Sequence, residues 1–348
     1  MCNIAGYVGT EPAAPILLEM IERQEGLAGG YFSGIVTIAD GRLHWAKVVG
    51  DAAALRAALR HLDLPGTIGL AHSRSNSGGD VTWSHPFIGC DDSLAYIANG
   101  SRGFFQDSFD ADAAASGLAT QGHQYTALWD DAIPPYPVLD DGRCVHISDV
   151  MAHAIEDRLS ITPDPAAAIE AAFTDLPAEI VGLFISPSHP DRIFGARYTM
   201  PMCLATGADG TRVASSPGAF ALGSAWEWAP PCSVVTMHAG GFTIRPLACA
   251  HGPMVDDIDR VEARAAVLQQ LATGDALGVG QLSKALAPLS GRPHLHVLLD
   301  PLYEVLGELE QGGVVTREVR RTPGAQAQLT APQFVWRTRE PPGTPHSG

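Results

Sequence analysis

The sequence predicts an α+β fold, with strands and helices in separate runs, followed by a smaller C-terminal unit of three helices and a ribbon. Strand-like alternation recurs on either side of Asp40-Gly41, Asp209-Gly210 and Gly240-Gly241, the dipeptides that turn antiparallel hairpins. Stretches of helical period interrupt these runs, as in Pro15 to Arg23, where apolar residues fall on one face and acids on the other. From about Met254 the pattern changes to longer helical stretches and then two strands.

The chain opens with Ile4 to Val8, an apolar, glycine-broken run suited to a buried strand. A helix over Pro15 to Arg23 ends at Gly26 to Gly30, and Tyr31 to Ala39 and Arg42 to Val49 then pair across Asp40-Gly41. A second helix, Asp51 to Leu62, stops at Pro65-Gly66, and a short strand, Thr67 to His72, leads into His72-Ser73-Arg74-Ser75-Asn76-Ser77-Gly78-Gly79. The strand Ser93 to Ala98 runs into Asn99-Gly100. Phe109 to Gln121 reads as a helix, His123 to Leu128 as a strand, and Trp129 to Val145, with three prolines and paired aspartates, as an inserted loop. Ser148-Asp149 is the expected N-cap of a helix over Val150 to Leu159, and another helix follows over Pro165 to Phe173. After a buried strand, Ile180 to Ser186, five strands from Arg192 to Pro246 are expected to form an antiparallel meander. Helices over Asp257 to Thr273, Val279 to Leu289 and His294 to Glu310, then strands Val314 to Arg321 and Gln326 to Trp336, have the order of a winged helix. The organisation expected is therefore a main domain over 2–250, a winged-helix-like domain over 254–340 and a disordered tail over 341–348.

The formal net charge of −16 argues against general affinity for nucleic acid or anionic membrane. Fourteen of those sixteen charges belong to residues 1–252. The six cysteines show no paired spacing of the kind that marks zinc or redox motifs, so no metal and no cofactor are expected. No basic region precedes an apolar core at the N-terminus, and no apolar run approaches the ~20 residues that span a bilayer. The expectation is a cytoplasmic, reduced protein with no membrane association.

Cys2 stands directly behind the initiator methionine. Removal of Met1 would leave a residue carrying both a thiol and a free α-amine, and an adjacent amine can take the proton that makes a thiol nucleophilic. Taken alone, a Met-Cys start reads more often as a small hydrophobe at a frayed end, and an arginine amid serines reads as a solvated loop.

Together, Cys2, His72-Ser73-Arg74, Ser84-His85-Pro86 and Asn99-Gly100 stand in the order and rough spacing of the class II glutamine amidotransferases. These are N-terminal-nucleophile hydrolases, and the chain resembles in particular the glutaminase domain of glucosamine-6-phosphate synthase over roughly residues 2–247. The resemblance also covers Gly30-Tyr31-Phe32-Ser33-Gly34, the Ser188-His189-Pro190-Asp191 turn and Ser215-Ser216. It implies a four-layer αββα sandwich of two antiparallel sheets. It further implies Cys2 as nucleophile with its own α-amine as base, and Asn99 and the Gly100 backbone as the oxyanion hole. Arg74 and Ser77 would hold the substrate α-carboxylate, with Ser75 and His85 in the same substrate-binding set. For the substrate α-ammonium, Asp149 is preferred over Asp130, with residues 127–146 as the insertion.

The resemblance departs at Asn3, Gly29, Phe32, Ser75 and Gly78, where the family carries glycine, arginine, aspartate, a gating tryptophan and histidine. It also leaves fewer than a hundred residues where sugar-isomerase domains would follow. The implied function is a stand-alone hydrolysis of glutamine to glutamate and ammonia, with an ammonia-accepting synthase on another chain and a homo-oligomeric assembly as expected partners. Two alternatives stay open: an amide hydrolase for a different acyl group, and a glutamine-sensing winged-helix regulator.

Overall fold

The protein is described by a computed structural model covering residues 2–76, 78–100, 109–177, 181–248, 258–290 and 299–339. The chain divides into two compact units, Met1–Met254 with Pro323–Ala331 and Val255–Thr322 with Pro332–Gly348. Met1, Ser77 and the expected tail over 341–348 lie outside the described residues.

In the first unit the strands are β1 (Asn3–Gly9), β2 (Phe32–Ala39), β3 (Arg42–Val49), β4 (Ile68–Arg74), β5 (Phe87–Ile88), β6 (Ala95–Asn99), β7 (Leu128–Trp129) and β8 (Cys144–Val145). They continue as β9 (Val181–Ile185), β10 (Ile193–Arg197), β11 (Cys203–Gly207), β12 (Gly210–Ala214), β13 (Glu227–Trp228), β14 (Ser233–His238) and β15 (Gly241–Pro246). The helices are α1 (Ala13–Gln24), α2 (Ala52–Leu59), α3 (Ala111–Thr120), α4 (Ile147–Ile161) and α5 (Pro165–Asp175). One antiparallel sheet has the order β13-β11-β12-β1-β4-β2-β3 and a second has the order β15-β14-β10-β9-β6-β5. Strands β1, β4 and β12 of the first pack on β6, β9, β10, β14 and β15 of the second, while α1 and α2 cover one outer face and α4 and α5 the other. That is a helix–sheet–sheet–helix sandwich.

Sequence chemistry accounts for the layers. β1, β2 and β4 are buried almost end to end because a sheet lies on one side and helices on the other, whereas the edge strand β3 is mostly exposed or half-buried. α1 buries Ala13, Leu17, Leu18, Met20, Ile21 and Gln24, one stripe at helical spacing. Ala39 pairs with Arg42 across Asp40 and Gly41, both at positive φ, which gives the primed turn whose twist suits a hairpin.

Three expectations need correction. The five strands after residue 190 do not form one meander. β10, β14 and β15 belong to the second sheet, while β11 and β12 pair with each other and with β1 in the first. Each hairpin turns locally, but which sheet a strand joins is decided by non-local pairing. α4 begins at Ile147, with His146 as its cap: its Nδ1 accepts from the Ser148 N–H at 3.1 Å, so Ser148 and Asp149 sit inside the first turn. The strand expected over His123 to Leu128 shrinks to Leu128–Trp129, paired with Cys144–Val145 at the base of the loop between them.

The second unit contains α6 (Arg260–Leu271), β16 (Leu277–Gly278), α7 (Val279–Leu286), α8 (Leu299–Gln311), β17 (Val315–Pro323) and β18 (Thr330–Thr338). Its sheet has the order β16-β18-β17, and the first of these strands was not foreseen in the sequence. Its core is drawn from all three helices and the sheet, through Val267, Leu271, Leu282, Leu306, Val335 and Trp336.

Candidate active site

The first strand delivers Cys2 to the site, and the residues beyond it explain how it is held. Asn3, where the family has glycine, is buried, and its Nδ2 donates to Ala28 O at 2.7 Å and to Gln24 O at 3.2 Å. Gln24 Nε2 donates in turn to Ile4 O at 2.8 Å, and Ser215 Oγ donates to Gln24 Oε1 at 3.0 Å and accepts from the Ile4 N–H at 3.2 Å. Side chains from α1 and from the end of β12 thus saturate the polar groups at the start of β1, as burial requires.

Asn99, at the end of β6 in the opposite sheet, clamps the nucleophile's backbone. The Cys2 N–H donates to Asn99 Oδ1 at 3.1 Å and Asn99 Nδ2 donates to Cys2 O at 2.9 Å. Gly100 follows directly and is exposed. Cys2 Sγ lies 3.7 Å from Ser75 Oγ. Cys2 is half-buried, and its thiol is lowered to about 5. Burial pushes it up, but the hydrogen-bonding influence and positive charge of His72 and the charge of the amino terminus, with help from the Ser75 backbone, more than reverse this.

His72 is the residue whose role the motif reading left unassigned. On β4 it is fully buried, with Nε2 2.9 Å from Ala98 O, so that nitrogen must carry a proton. Among the described residues Nδ1 has no hydrogen-bond partner at ordinary distance. His85 lies against His72 with ring centroids 3.8 Å apart. Burial, reinforced by the neighbouring positive groups, drives the pKa of His85 well down and keeps it neutral. Burial, with the neighbouring positive groups, drives the pKa of His146 down in the same way.

Arg74 is buried at the end of β4, its guanidinium over the Phe32 ring at 5.2 Å and the Trp83 ring at 5.9 Å, with Nη2 donating to Gly78 O at 2.9 Å. Phe32 and Trp83 form an aromatic clamp here, and Phe32 stands where the family carries an aspartate. A Cβ on Gly29, which lies at positive φ, would stand 2.5 Å from Ser73 Oγ and 2.6 Å from Ser73 O, so the chain as folded has no room for a side chain there. Ser73 Oγ donates to Glu25 Oε1 at 2.9 Å and accepts from the Gly30 N–H at 2.8 Å.

The structure therefore brings Cys2, His72, Arg74, Ser75, His85 and Asn99 into one neighbourhood. It does not bring Asp149 there as an open carboxylate. Asp149 is fully buried, and its Oδ2 accepts from the Thr126 and Ala127 N–H groups, each at 2.8 Å. Its Oδ1 faces His153 Nε2 at 3.6 Å. Asp130 is exposed, on the loop between β7 and β8. Ser77 lies outside the described residues.

No protein-family model matches the chain. Among curated proteins, the isomerizing glutamine–fructose-6-phosphate aminotransferase of Pyrococcus horikoshii is 28% identical over 223 residues, which is 63% of this chain and 33% of that protein. The enzyme of the same name from Acidithiobacillus ferridurans is 29% identical over 224 residues, 63% of this chain and 32% of its own length. The chain thus spans about a third of the length of the curated relatives it matches. Among solved structures, the glutamine phosphoribosylpyrophosphate amidotransferase from B. subtilis, complexed with ADP and GMP, aligns with a TM-score of 0.56 at 17% identity. The alignment covers 84% of this chain and 64% of that one, and at such identity it speaks for the fold. In sequence, then, the chain is similar to the glutaminase domains of the glucosamine-6-phosphate synthases, and in fold it is similar to a class II glutamine amidotransferase.

Proposed function

We propose that the chain is a glutamine amidotransferase-like amidohydrolase that uses Cys2, once Met1 is removed, to convert glutamine and water to glutamate and ammonia. The observation that carries the reading is the Asn99 clamp on Cys2 together with a thiol lowered to about 5. Cys2 Sγ attacks the side-chain amide carbon, and the oxyanion that forms is held by Asn99 Nδ2, an amide with two hydrogens, and by the Gly100 N–H. The Cys2 α-amine, of ordinary pKa roughly 7.7–8.0, passes the thiol proton to the departing nitrogen, so ammonia leaves and a γ-glutamyl thioester remains. Water, deprotonated by the same amine, then releases glutamate and restores the thiol. Arg74 and Ser77 hold the α-carboxylate, a planar fork meeting a planar acceptor in the case of Arg74. While Met1 is attached, the amine is an amide and cannot act as base.

Glutamine hydrolysis by the purified chain tests this, with an intact-mass spectrum to score Met1 removal. Cys2→Ala should abolish turnover, and Asn99→Ala should lower it on the order of 10²- to 10³-fold. Full activity in Cys2→Ala would sink the mechanism.

A second reading has its own support: the buried, backbone-bonded Asp149 leaves the expected ammonium ligand closed, and Ser75 replaces a bulky gate. Both suit an amide whose acyl group lacks the α-ammonium of glutamine. A panel of amides in which glutamine is inert and a desamino analogue reacts would establish it. We assign residues 2–250 to the amidotransferase-like domain and 254–340 to a winged-helix-like one, a division supported in the second unit by its order of helix, strand, two helices and two strands. The proposal includes docking of the chain to an ammonia-accepting synthase or to a second copy of itself, the latter scored by size-exclusion with light scattering.

A further inference from the structure

Away from Cys2, four side chains from three separate segments converge on one point: Cys90 in the turn before β6, His123 just after α3, and His153 and Glu156 one turn apart on α4. Their donor atoms all lie within 4.8 Å of one another. Glu156 Oε2 is 3.0 Å from His123 Nδ1 and 3.0 Å from His153 Nδ1, and Cys90 Sγ is 4.0 and 3.8 Å from the same two nitrogens. A tetrahedral zinc with bonds of about 2.0–2.3 Å sets its ligand atoms roughly 3.3–3.7 Å apart, so the gap between these four is already close to the size of the ion. One thiolate, two imidazoles and one carboxylate form a donor set of the kind that borderline divalent metals prefer.

The surroundings supply the outer support such a site needs. His153 is fully buried between two carboxylates, with Nδ1 toward Glu156 and Nε2 toward Asp149 Oδ1 at 3.6 Å. Among the described residues neither His153 Nε2 nor Asp149 Oδ1 has a hydrogen-bond partner. A cation on Nδ1 places the ring proton on Nε2, aimed at Asp149 in the carboxylate–histidine–metal arrangement. Asp149 is in turn fixed by two backbone N–H groups. The other oxygen of Glu156 accepts from Ser93 Oγ, which leaves Oε2 for the ion.

We infer that Cys90, His123, His153 and Glu156 form a four-ligand structural zinc site. On binding, the Cys90 thiol and the two Nδ1 atoms lose their protons, and each imidazole regains one from solvent on Nε2. The thiolate and the Glu156 carboxylate then balance the two charges of the ion. The site ties the Cys90 turn and the His123 loop to α4. It also braces one wall of a cavity of about 780 Å³ lined in part by Cys90, Gly122, Gln124, Tyr125 and Thr126. Sequence spacing concealed it because the ligands come from three distant segments and only His153 and Glu156 stand at a helical i, i+3 interval.

The full chain, purified after expression with zinc and passed through gel filtration, should carry about one zinc per molecule by mass spectrometry of the elements. Cys90→Ser and His123→Asn, at partly exposed positions, should cut retained zinc by about tenfold or more. Cys2→Ala should leave it unchanged, which separates this site from the nucleophile and makes the result independent of glutamine hydrolysis. Cobalt substitution should give a thiolate-to-metal charge-transfer band that Cys90→Ser abolishes with the circular-dichroism spectrum intact. A wild-type chain that retains neither metal overturns the assignment, as does zinc that is lost from Cys2→Ala but kept by Cys90→Ser.

Discussion

Cys2 owes its chemistry to one neighbour more than to its burial. Desolvation alone would raise the thiol, yet it stands at about 5 because His72 acts on it first by hydrogen bonding and then by positive charge. Alkylation of Cys2 in the folded protein should therefore follow a titration centred near pH 5, with the reactive thiolate above that midpoint. His72→Gln should move the midpoint upward toward the ordinary thiol value of about 8.5, read by mass spectrometry of the Cys2 peptide across pH. An unmoved midpoint would mean that His72 is only a packing residue. The linkage has a definite sign: the folded value is depressed, so the thiolate contributes stability above the unfolded pKa and loses it as pH falls toward about 5. Cys2, Arg74 and Asn99 stand out in the sequence only together, through the order that carries the resemblance, and the structure sets Asn99 against the Cys2 backbone. The burial of Asp149 is not legible there, because a carboxylate at a helix start reads the same whether it faces a ligand or accepts from buried backbone amides.

At the scale of elements, the site depends on how closely β2 and the His85 segment approach each other. A Cβ on Gly34 would stand 2.0 Å from the His85 carbonyl oxygen, a backbone atom that cannot swing aside. Gly34→Ala should therefore destabilise the fold by about 1–3 kcal/mol and disturb the His72–His85 contact, measured as a lowered midpoint in thermal or urea unfolding. Gly117, in the body of α3, meets nothing within 4 Å, so Gly117→Ala should instead stabilise by about 0.5–1 kcal/mol through helix propensity. Equal destabilisation by both would show that the glycine contacts do not govern the effect. Local signals carried most of this scale: α1 and the Asp40-Gly41 hairpin follow from periodicity and turn chemistry. The split of the later strands between two sheets did not, because β12 pairs with β1 from two hundred residues away and no local window contains that choice. His146 displaced Ser148 as the cap of α4 for a related reason. Its ring is already fixed by packing against Phe87 and Tyr136, so the tertiary contact sets where the helix begins.

For the whole molecule, the distribution of charge decides what the second unit can bind. The order of its elements is that of a fold often used to read DNA, in which the third helix enters the major groove. Here that helix, α8, carries Asp300, Glu304, Glu308 and Glu310 and no lysine or arginine. Glu304 and Glu308 pair with Arg260 of α6, so the acids serve the unit's own packing. Among the arginines of the β17–β18 ribbon, Arg317 is engaged by Glu310 and Arg337 by Glu318. Counterion release, the main source of affinity for a phosphate backbone, needs an unneutralised basic face, and the net charge of −16 opposes approach at long range. The full chain should consequently show no binding to duplex DNA even at low ionic strength, where any such affinity would be greatest. Fluorescence anisotropy of a labelled duplex, titrated with the intact chain from low to physiological salt, checks this. Saturable binding that weakens steeply with salt would reverse the argument and make the second unit a nucleic-acid reader.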